Sequence, residues 1–340
     1  GGAELDARDF AALLAPAAAA SLERAARAAH TITAERFGKT ILLYAPLYLS
    51  NECVSTCLYC GFSRGNDVAR RTLSIDEAVA ETRLLTARGF QHILLVTGEH
   101  PKAASLPYLA EAVRALRATG VASVSVEIAP LDVAGYRELA VAGADGLVVY
   151  QETYDRATYA RLHLGGPKQD YDRRLAAPER GADGGMRRLG IGALLGLADW
   201  REEALVLYAH ARFLLRRAWR CALTVSLPRL RPAAGGFAPA HAVTDREFVQ
   251  LLVALRLALP DAGISISTRE PAALRDRLIP LGVTQMSAGS RTDPGGYSDP
   301  SAAEPQFEIE DDRSPEEVAA AITRAGYDPV WKDWEEALHA

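Results

Sequence analysis

Eight short runs of apolar and β-branched residues, each followed by a stretch long enough for a helix, succeed one another from Thr40 onward in this 340-residue chain. This alternation is typical of a parallel sheet covered by helices. Eight strand–helix units in one chain favour closure of the sheet. We therefore predict an α/β fold, a (β/α)8 barrel of the TIM type, with strands at residues 40–44, 93–96, 123–128, 146–150, 190–194, 223–226, 264–267 and 283–287.

Residue patterns in the intervening stretches predict where helices begin and end. Ser74, Thr244 and Ser314 each stand three residues before a glutamate, which is the spacing of a capping box at a helix start. Gly89 and Gly120 stand where helices are expected to stop, because glycine adopts the left-handed backbone conformation without steric cost. These signals support helices between the predicted strands.

The chain is predicted to form one domain with helical extensions, since no low-complexity linker divides it. Residues 1–38 are rich in alanine and helical in pattern from 11 to 29, with a break at Pro16, and we expect them to form an N-terminal cap. Residues 39–290 are expected to form the barrel. Residues 291–340 are expected to form a loop and helical extension that packs on the barrel.

Composition narrows the possible partners. Apolar residues make up 49% of the chain, charged residues 24%, and the net charge is -5 without any basic block. Nucleic acid is therefore not an expected partner. No apolar run is long enough to span a membrane, so a membrane is not expected either. Four cysteines and no export signal indicate a reducing cytoplasm, where a disulfide is not expected.

Three of the four cysteines, Cys53, Cys57 and Cys60, lie within eight residues directly after the first predicted strand. A closed zinc site or an electron-transfer cluster takes four protein ligands. The next cysteine, Cys221, is far along the chain. We interpret Cys221 as a buried apolar residue. A [4Fe-4S] cluster on three thiolates leaves one iron open to a small molecule. The pattern therefore favours catalysis.

The spacing C-x3-C-x2-C, with an aromatic residue before the last cysteine, resembles the signature of the radical S-adenosylmethionine (SAM) superfamily. The resemblance implies that the open iron binds the amine and carboxylate of SAM and that Tyr59 lies near its adenine. Two other interpretations stay open at this point. One is a zinc site completed by His100 or His163, and the other is a fortuitous cluster of cysteines.

The second predicted strand is followed by Thr97, Gly98 and Glu99. This tripeptide resembles the Gly-Gly-Glu element with which radical SAM enzymes bind the methionyl amino group. A glycine lets the backbone approach a ligand closely, and a glutamate pairs with an ammonium group. Turns without any function often carry such residues, so the interpretation depends on the position of the tripeptide at the active face of the barrel.

Two further pairs of polar residues lie on the third and fourth strands. Ser125 and Glu127 are two residues apart and therefore point to the same face. Gln151 and Glu152 leave an apolar strand and are costly to bury without partners. For both pairs, contact with SAM or substrate and a buried structural role are the open alternatives.

The seventh and eighth strands end near Arg269 and Ser287. Arginine at a barrel mouth can hold a carboxylate through two parallel hydrogen bonds, which suits an amino-acid substrate. We therefore predict a carboxylate site at these two residues. The alternative is a structural ion pair between Arg269 and Glu270 or another nearby acid.

Taken in order, several segments resemble the 2-iminoacetate synthases, the tyrosine lyases of thiamine thiazole biosynthesis, over nearly the whole chain: 46–51, 60–63, 95–100, 149–154, 190–197, 226–232, 267–270, 294–297 and 329–334. The resemblance implies a lyase that uses a [4Fe-4S] cluster and SAM. Such enzymes take a hydrogen atom from the amino group of L-tyrosine and break its Cα–Cβ bond. The products are 2-iminoacetate and p-cresol, together with 5′-deoxyadenosine and methionine from SAM. By the same resemblance Tyr48 lies near the substrate, and Arg269 and Ser287 hold its carboxylate.

The resemblance also implies two protein partners, a thiazole synthase that receives the imine and an electron donor of the flavodoxin or ferredoxin type. Three rival functions remain. The tyrosine lyase of hydrogenase maturation carries a second cluster on later cysteines, and none follows Cys221 here. A tryptophan lyase shares the same core. A non-catalytic metal-binding scaffold would not need the polar residues at the strand ends.

Overall fold

The protein is described by a computed structural model that covers residues 5–301 and 303–332. Eight parallel strands form a closed barrel, because their order runs from β2 through β8 to β1 and β1 pairs again with β2. The strands are β1 (Thr40–Ser50), β2 (His92–Thr97), β3 (Ser123–Glu127), β4 (Gly146–Glu152), β5 (Arg188–Ala193), β6 (Ala222–Ser226), β7 (Gly263–Ile266) and β8 (Gln285–Ser287), with β9 (Asp328–Val330) outside the barrel. The predicted fold class is confirmed.

Helices cover the barrel in chain order, and the inner faces of helices and strands form one apolar core. They are α1 (Ala7–Leu14), α2 (Leu22–Phe37), α3 (Ile75–Ala87), α4 (Leu106–Ala118), α5 (Val133–Ala142), α6 (Arg156–Leu162), α7 (Tyr171–Leu175), α8 (Ala177–Asp183), α9 (Trp200–Arg217), α10 (Asp245–Ala258), α11 (Ala272–Leu278) and α12 (Pro315–Arg324). None of these helices is long and apolar enough to cross a membrane, within residues 5–301 and 303–332.

The predicted helix boundaries agree with the structure. Ser74, Thr244 and Ser314 each close a capping box, in which the side chain accepts from the backbone N–H three residues later. Gly89 and Gly120 follow the ends of α3 and α4 with φ of 96° and 93°, a conformation that favours glycine. The local sequence therefore determines these helix ends.

Strand β1 is longer than predicted and pairs with three neighbours. Its first half pairs with β8 and β9, and its second half, from Ala45 to Ser50, pairs with β2. Leu42 pairs on one side with Gln285 of β8 and on the other with Val330 of β9, so β9 lies on the β2 side of β1. The sequence prediction stopped at Tyr44, before Pro46, because proline usually interrupts a strand pattern.

The N-terminal segment packs on the outside of the barrel. The break at Pro16 is confirmed, since a short 3-10 helix at 16–21 separates α1 from α2. The ring of Phe10 stacks on Tyr208 of α9 with centroids 4.5 Å apart, and the Gln250 amide of α10 donates to Leu13 at 2.8 Å. The first helix begins at residue 7, earlier than predicted, because Asp6 caps it.

The residues after β8 return over the barrel mouth before forming α12 and β9. Gln306 and Phe307 line a cavity at the mouth, and β9 extends the sheet at the other end of β1. The predicted C-terminal extension therefore contacts both ends of the barrel. Its last part, 333–340, and the first residues of the predicted cap, 1–4, lie outside the described residues, and the domain boundaries at 38 and 290 remain predictions.

Candidate active site

Two adjoining cavities lie at the C-terminal ends of the strands. The cysteine cavity, of about 60 Å³, is lined by Cys53, Cys57 and Cys60 together with Gly98 and Glu99. The arginine cavity, of about 100 Å³, is lined by Tyr48, Tyr59, Arg269 and Ser287. Both cavities share the lining residues Cys60, Val96, Glu127, Glu152, Lys168 and Gln306.

A larger cavity of about 350 Å³ lies at the opposite end of the barrel, among the first residues of the strands. None of the three clustered cysteines lines it. Active sites of (β/α)8 barrels lie at the C-terminal ends of the strands, where the loops converge. The two smaller cavities are therefore the candidate site, although neither is the largest.

Hydrogen bonds to buried polar groups hold the cysteine loop, which follows β1, in place. The fully buried side chain of Asn51 donates to Ala69 at 2.8 Å and accepts from the backbone of Arg71 at 2.7 Å. The Arg70 guanidinium donates to the backbone carbonyls of residues 51, 62, 63 and 66 at 2.7 to 3.2 Å. These hydrogen bonds hold the loop in one conformation.

Gly98 lets the end of β2 pack directly against the cysteine loop. A Cβ atom at this position would lie 2.3 Å from the carbonyl oxygen of Glu52, which is too close for any side chain. The backbone of Gly98 donates to Ser50 at 2.8 Å, and Val54 donates to the Glu99 carbonyl at 3.0 Å. The predicted ligand-binding tripeptide is therefore also part of the support of the cysteine loop.

The described side chains do not complete a zinc site around the three cysteines. No group of three or more His, Cys, Asp or Glu side chains within the described ranges is placed to hold a metal ion. Both ring nitrogens of His163 have partners, since Nε2 lies 2.8 Å from the Tyr59 hydroxyl and Nδ1 lies 2.8 Å from the Tyr159 carbonyl. His163 is therefore not free to complete a zinc site with the three cysteines.

Burial opposes ionisation of two of the clustered cysteine thiols. Burial raises the pKa of Cys57 and Cys60, and the nearby Lys168 ammonium partly opposes this effect. A buried thiol loses its proton when iron binds it, because the metal charge stabilises the thiolate. Three free thiols around one cavity therefore match the three-thiolate iron–sulfur site expected from the spacing.

Two ion pairs form the wall of the cysteine cavity opposite the thiols. Arg174 donates to Glu99 at 2.8 Å, and Lys168 donates to Glu152 at 2.7 Å. Burial disfavours the charged form of Glu152, but Lys168 and Arg174 together hold its pKa below the ordinary value. All four side chains are therefore placed by charge pairing, and two carboxylates and two cations surround a space next to the cysteines.

Glu152 reaches this wall through an unusual backbone conformation. Its φ of 71° is the one left-handed value of a non-glycine residue within the described ranges, and the pairing of β4 with β5 shifts by one residue between Tyr150 and Glu152. Such a conformation is uncommon for a residue with a side chain and often occurs at functional sites. Both Tyr150 and Glu152 line the arginine cavity.

Glu127 lines both cavities and has no hydrogen bond or ion pair within the described ranges. Burial, together with the charge of Glu152, raises the pKa of Glu127 to about 7, against the lowering effect of nearby cations. A carboxyl group with these properties is free to bind a ligand and titrates near neutral pH.

Arg269 is a half-buried cation without a carboxylate partner among the described residues. Its guanidinium lies 3.3 Å from the centroid of the Phe307 ring and donates to the Arg229 carbonyl at 3.4 Å. Glu270 pairs with Arg229 instead, so the predicted alternative of an Arg269–Glu270 ion pair does not form. Burial lowers the pKa of Arg269, and the nearby acidic groups, Glu127 and Glu152 among them, only partly oppose this effect.

Ser287, Tyr48 and Tyr59 have well-defined partners on the same cavity. The Ser287 hydroxyl accepts from the Thr268 backbone at 3.1 Å, which places it beside Arg269. The Tyr48 hydroxyl donates to Gln306 at 2.8 Å. Tyr59 bonds His163, and its ring lies 5.8 Å from the Lys168 ammonium.

The structure does not bring two of the predicted cofactor-binding residues to this site. Ser125 faces the barrel interior, as expected, but lines the large cavity at the other end, and a Cβ on Gly146 would lie 2.2 Å from its Oγ. Gln151 points away from both cavities, because side chains alternate along β4, and its amide lies 3.5 Å from the Tyr171 carbonyl. These positions are the ones expected under the structural alternatives that the sequence left open.

Three residues of the site have no counterpart in the sequence prediction, namely Lys168, Arg174 and Gln306. Lys168 lies in a short 3-10 helix (Pro167–Gln169) after α6, Arg174 lies in α7, and Gln306 is 246 residues from the cysteine it contacts. Lone polar residues outside strand ends carry no local pattern. Only the acidic residues Glu99 and Glu152 signalled that buried cations must be near.

Comparison with known proteins agrees with this geometry. Residues 47–208 match the Radical SAM superfamily, and residues 226–328 match the Biotin and Thiamin Synthesis associated domain. With the closed barrel and the three cysteines at its mouth, these matches define a radical SAM enzyme. Its cofactors are a [4Fe-4S] cluster and SAM.

More specific relatives narrow the family. The chain is 45% identical to the 2-iminoacetate synthase of Escherichia coli (strain K12), over 98% of this chain and 89% of that protein. A crystal structure of HydG, a maturase of the [FeFe]-hydrogenase, is 34% identical with a TM-score of 0.91, over 96% of this chain and 73% of that one. Methylornithine synthase, at 22% identity over 97% of this chain and 95% of that one, shares the fold with a TM-score of 0.77. The chain belongs to the 2-iminoacetate synthase family.

Proposed function

We propose that this protein cleaves the Cα–Cβ bond of L-tyrosine and releases 2-iminoacetate and p-cresol, with SAM consumed to 5′-deoxyadenosine and methionine. The observation that carries the proposal is Arg269, a cation in a cavity next to the three cysteines without any carboxylate partner among the described residues. An amino-acid carboxylate supplies the missing charge. Family membership supports the same reaction.

The cofactors supply the radical chemistry. When bound, the cluster and SAM provide the electron and the radical that remove a hydrogen atom from the tyrosine amino group. Cys53, Cys57 and Cys60 would hold the cluster. Gly98 and Glu99 would border the methionyl part of SAM, and Tyr59 its adenine, because all three line the cavities that surround the cysteines.

The side chains of the arginine cavity position the substrate. Arg269 and Ser287 would bind its carboxylate, with the Arg269 guanidinium held flat by the Phe307 ring. Tyr48 would border the substrate from β1. Holding the amino group beside the SAM site is the contribution that a binding cavity makes to such a reaction, since the reacting atoms must be in contact.

Glu127 and Glu152 lie where the two cavities meet, so we assign them to contact with SAM. Ser125 and Gln151 were predicted to take the same role, but their positions outside both cavities favour a structural role.

The product chemistry implies partners. 2-Iminoacetate is an imine that water hydrolyses, and we propose that a thiazole synthase receives it directly. We further propose a cytoplasmic location and an electron donor of the flavodoxin or ferredoxin type, because SAM cleavage consumes one electron per turnover.

One assay tests the reaction. The cluster is reconstituted anaerobically, and the enzyme is incubated with SAM, dithionite and tyrosine, with tryptophan in a parallel reaction. We expect p-cresol and 5′-deoxyadenosine from tyrosine. Deoxyadenosine without p-cresol would keep the radical SAM chemistry and rule out tyrosine as substrate, and a specific product from tryptophan would indicate the related lyase.

A matched variant tests the cluster. Cys57→Ala removes one of the three thiols and is expected to lose most of the bound iron and all deoxyadenosine formation. Cys221→Ala, the control, changes a cysteine outside the site and is expected to retain both. Unchanged iron content in Cys57→Ala would contradict the assignment of the cluster.

A further inference from the structure

A segment of the C-terminal extension lies against the cysteine loop at very short distance. We call residues 290–301 and 303–312, between β8 and α12, the strap. The backbone N–H of Gly61 donates to the carbonyl of Gln306 in the strap at 3.2 Å. A Cβ on Gly61 would lie 2.5 Å from that oxygen, so only glycine directly after the last cysteine permits this approach. The strap is thereby fixed to the loop at residue 306.

The side chain of Gln306 joins the two cavities. Its Nε2 lies 3.7 Å from the Sγ of Cys60, and its Oε1 accepts from the Tyr48 hydroxyl at 2.8 Å. Among the described side chains, Gln306 alone donates a hydrogen bond to one of the three clustered cysteine sulfurs.

The chemistry of the sulfur contact determines the orientation of the amide. A thiolate that binds iron has no proton and can only accept, so it must face the NH2 group of Gln306. In this orientation the Tyr48 hydroxyl, which can donate or accept, donates to Oε1 at 2.8 Å. Both contacts are therefore satisfied by one orientation of the amide, and the flipped amide would lose the bond to the thiolate.

We propose that Gln306 is a positioning residue of the cluster, whose amide N–H group withdraws charge from the Cys60 thiolate and makes the cluster easier to reduce. Hydrogen bonds to cluster sulfurs are among the factors that set the reduction potential of an iron–sulfur centre, because the reduced state carries more negative charge. The inference rests on the cluster of the family and is independent of which amino acid is cleaved.

The bond also connects the substrate cavity with the cluster. Gln306 is held from the other side by Tyr48, which borders the proposed substrate position.

The test is an EPR-monitored reductive titration of the reconstituted enzyme without SAM and without tyrosine. Gln306→Met has nearly the same length as the native residue but no N–H group. We expect a midpoint potential more negative than that of the wild type, with equal iron and sulfide content. Glu308→Gln, a control at an exposed position of the same strap, is expected to keep the wild-type potential.

An unchanged midpoint in Gln306→Met would overturn the proposal, whatever the activity with tyrosine. If that variant loses its cluster, the side-chain nitrogen of Gln306 in the wild-type protein provides a second test. Enzyme labelled with 15N in the glutamine side chain should show hyperfine coupling of one nitrogen to the reduced cluster. Absence of this coupling would overturn the proposal equally, since a hydrogen-bonded amide nitrogen lies within range of the unpaired spin.

Discussion

At the scale of single residues, Arg269 is the group whose removal should separate substrate binding from cofactor binding. Arg269→Ala deletes a desolvated cation that we assign to the tyrosine carboxylate, and loss of such a charge pair costs roughly 2–3 kcal/mol or more. We therefore expect the KM for tyrosine to rise about 30-fold or more, with an unchanged cluster absorbance spectrum. Steady-state p-cresol formation measures the change.

A control for this variant lies on a neighbouring helix. Arg277→Ala removes an exposed arginine of α11 and is expected to leave the KM unchanged. Equal KM values in the wild type and in Arg269→Ala would remove Arg269 from the substrate site.

The raised pKa of Glu127 predicts how the stability of the folded protein depends on pH. Its folded-state pKa of about 7 lies above the model-peptide value of 4.5. Between these values the unfolded chain ionises while the folded protein keeps the proton, so the folded state loses stability as the pH rises from 4.5 to 7. Because this raised pKa disappears in Glu127→Gln, we expect the variant to gain about 2–3 kcal/mol relative to the wild type between pH 4.5 and 7.5.

Urea unfolding of the apoprotein at the two pH values measures this gain without interference from the cluster. Asp312→Gln serves as the control, since Asp312 is exposed and its substitution should give the same difference at both pH values. A difference between wild type and Glu127→Gln that does not change with pH would show that Glu127 titrates normally.

The residues of the site were predictable to the extent that their chemistry leaves a local pattern. The three cysteines have a spacing, and Glu99, Arg269 and Ser287 stand at strand ends, where a barrel collects its functional groups. Ser125 also lies on such a strand, but it lies before the strand end and therefore lines the larger cavity at the opposite end of the barrel. Alternation gives the face of a strand and not the depth along it.

At the scale of secondary-structure elements, the junction between β2 and the cysteine loop depends on Gly98. Gly98→Ala would place a methyl group 2.3 Å from the Glu52 carbonyl, which requires the loop to move. Overpacking of this kind costs about 1–3 kcal/mol and displaces the backbone that holds the cysteines. We expect iron content after reconstitution to fall by half or more, measured by iron and sulfide analysis.

Gly65→Ala is the matched control, because a Cβ at Gly65, in the same loop, would meet no atom within 4 Å. It should bind iron like the wild type. Full iron content in Gly98→Ala would indicate that the loop tolerates the displacement and that Gly98 serves only the ligand.

The elements that the sequence predicts are those whose pattern is repeated. All eight barrel strands were expected, because each is an apolar run in a repeated alternation with stretches mostly long enough for a helix. Strand β9 was missed, since three residues that include Pro329 give no alternation. Strand β2 pairs with β1 only from Ala45 onward, so the first residues of β1 have a free edge, with which β9 forms hydrogen bonds. This free edge exists only in the assembled barrel and leaves no pattern in the sequence.

At the scale of the whole molecule, a buried ion network joins the C-terminal extension to the barrel. The guanidinium of Arg275 in α11 is fully buried and donates both to the Asp311 carboxylate in the strap and to the Ser287 carbonyl at the end of β8. Arg313 bridges Asp311 at 2.7 Å and Asp276 at 2.9 Å. The network thus supports the strand end that carries a proposed substrate ligand.

Asp311→Asn should therefore destabilise the barrel and the extension together. The change keeps the side-chain shape but leaves the Arg275 cation buried without its carboxylate, which costs about 3–5 kcal/mol. We expect a lower urea midpoint, with circular dichroism and tryptophan fluorescence still changing in one coincident transition. Trp331 packs on Phe90 with ring centroids 5.2 Å apart, so the fluorescence includes a signal from the extension.

Asp312→Asn changes the exposed neighbouring residue and is the control, which should keep the wild-type midpoint. If fluorescence changed before circular dichroism in Asp311→Asn, the extension would be a separate folding unit. The barrel residues and the strap residues of the active site would then be held in place independently.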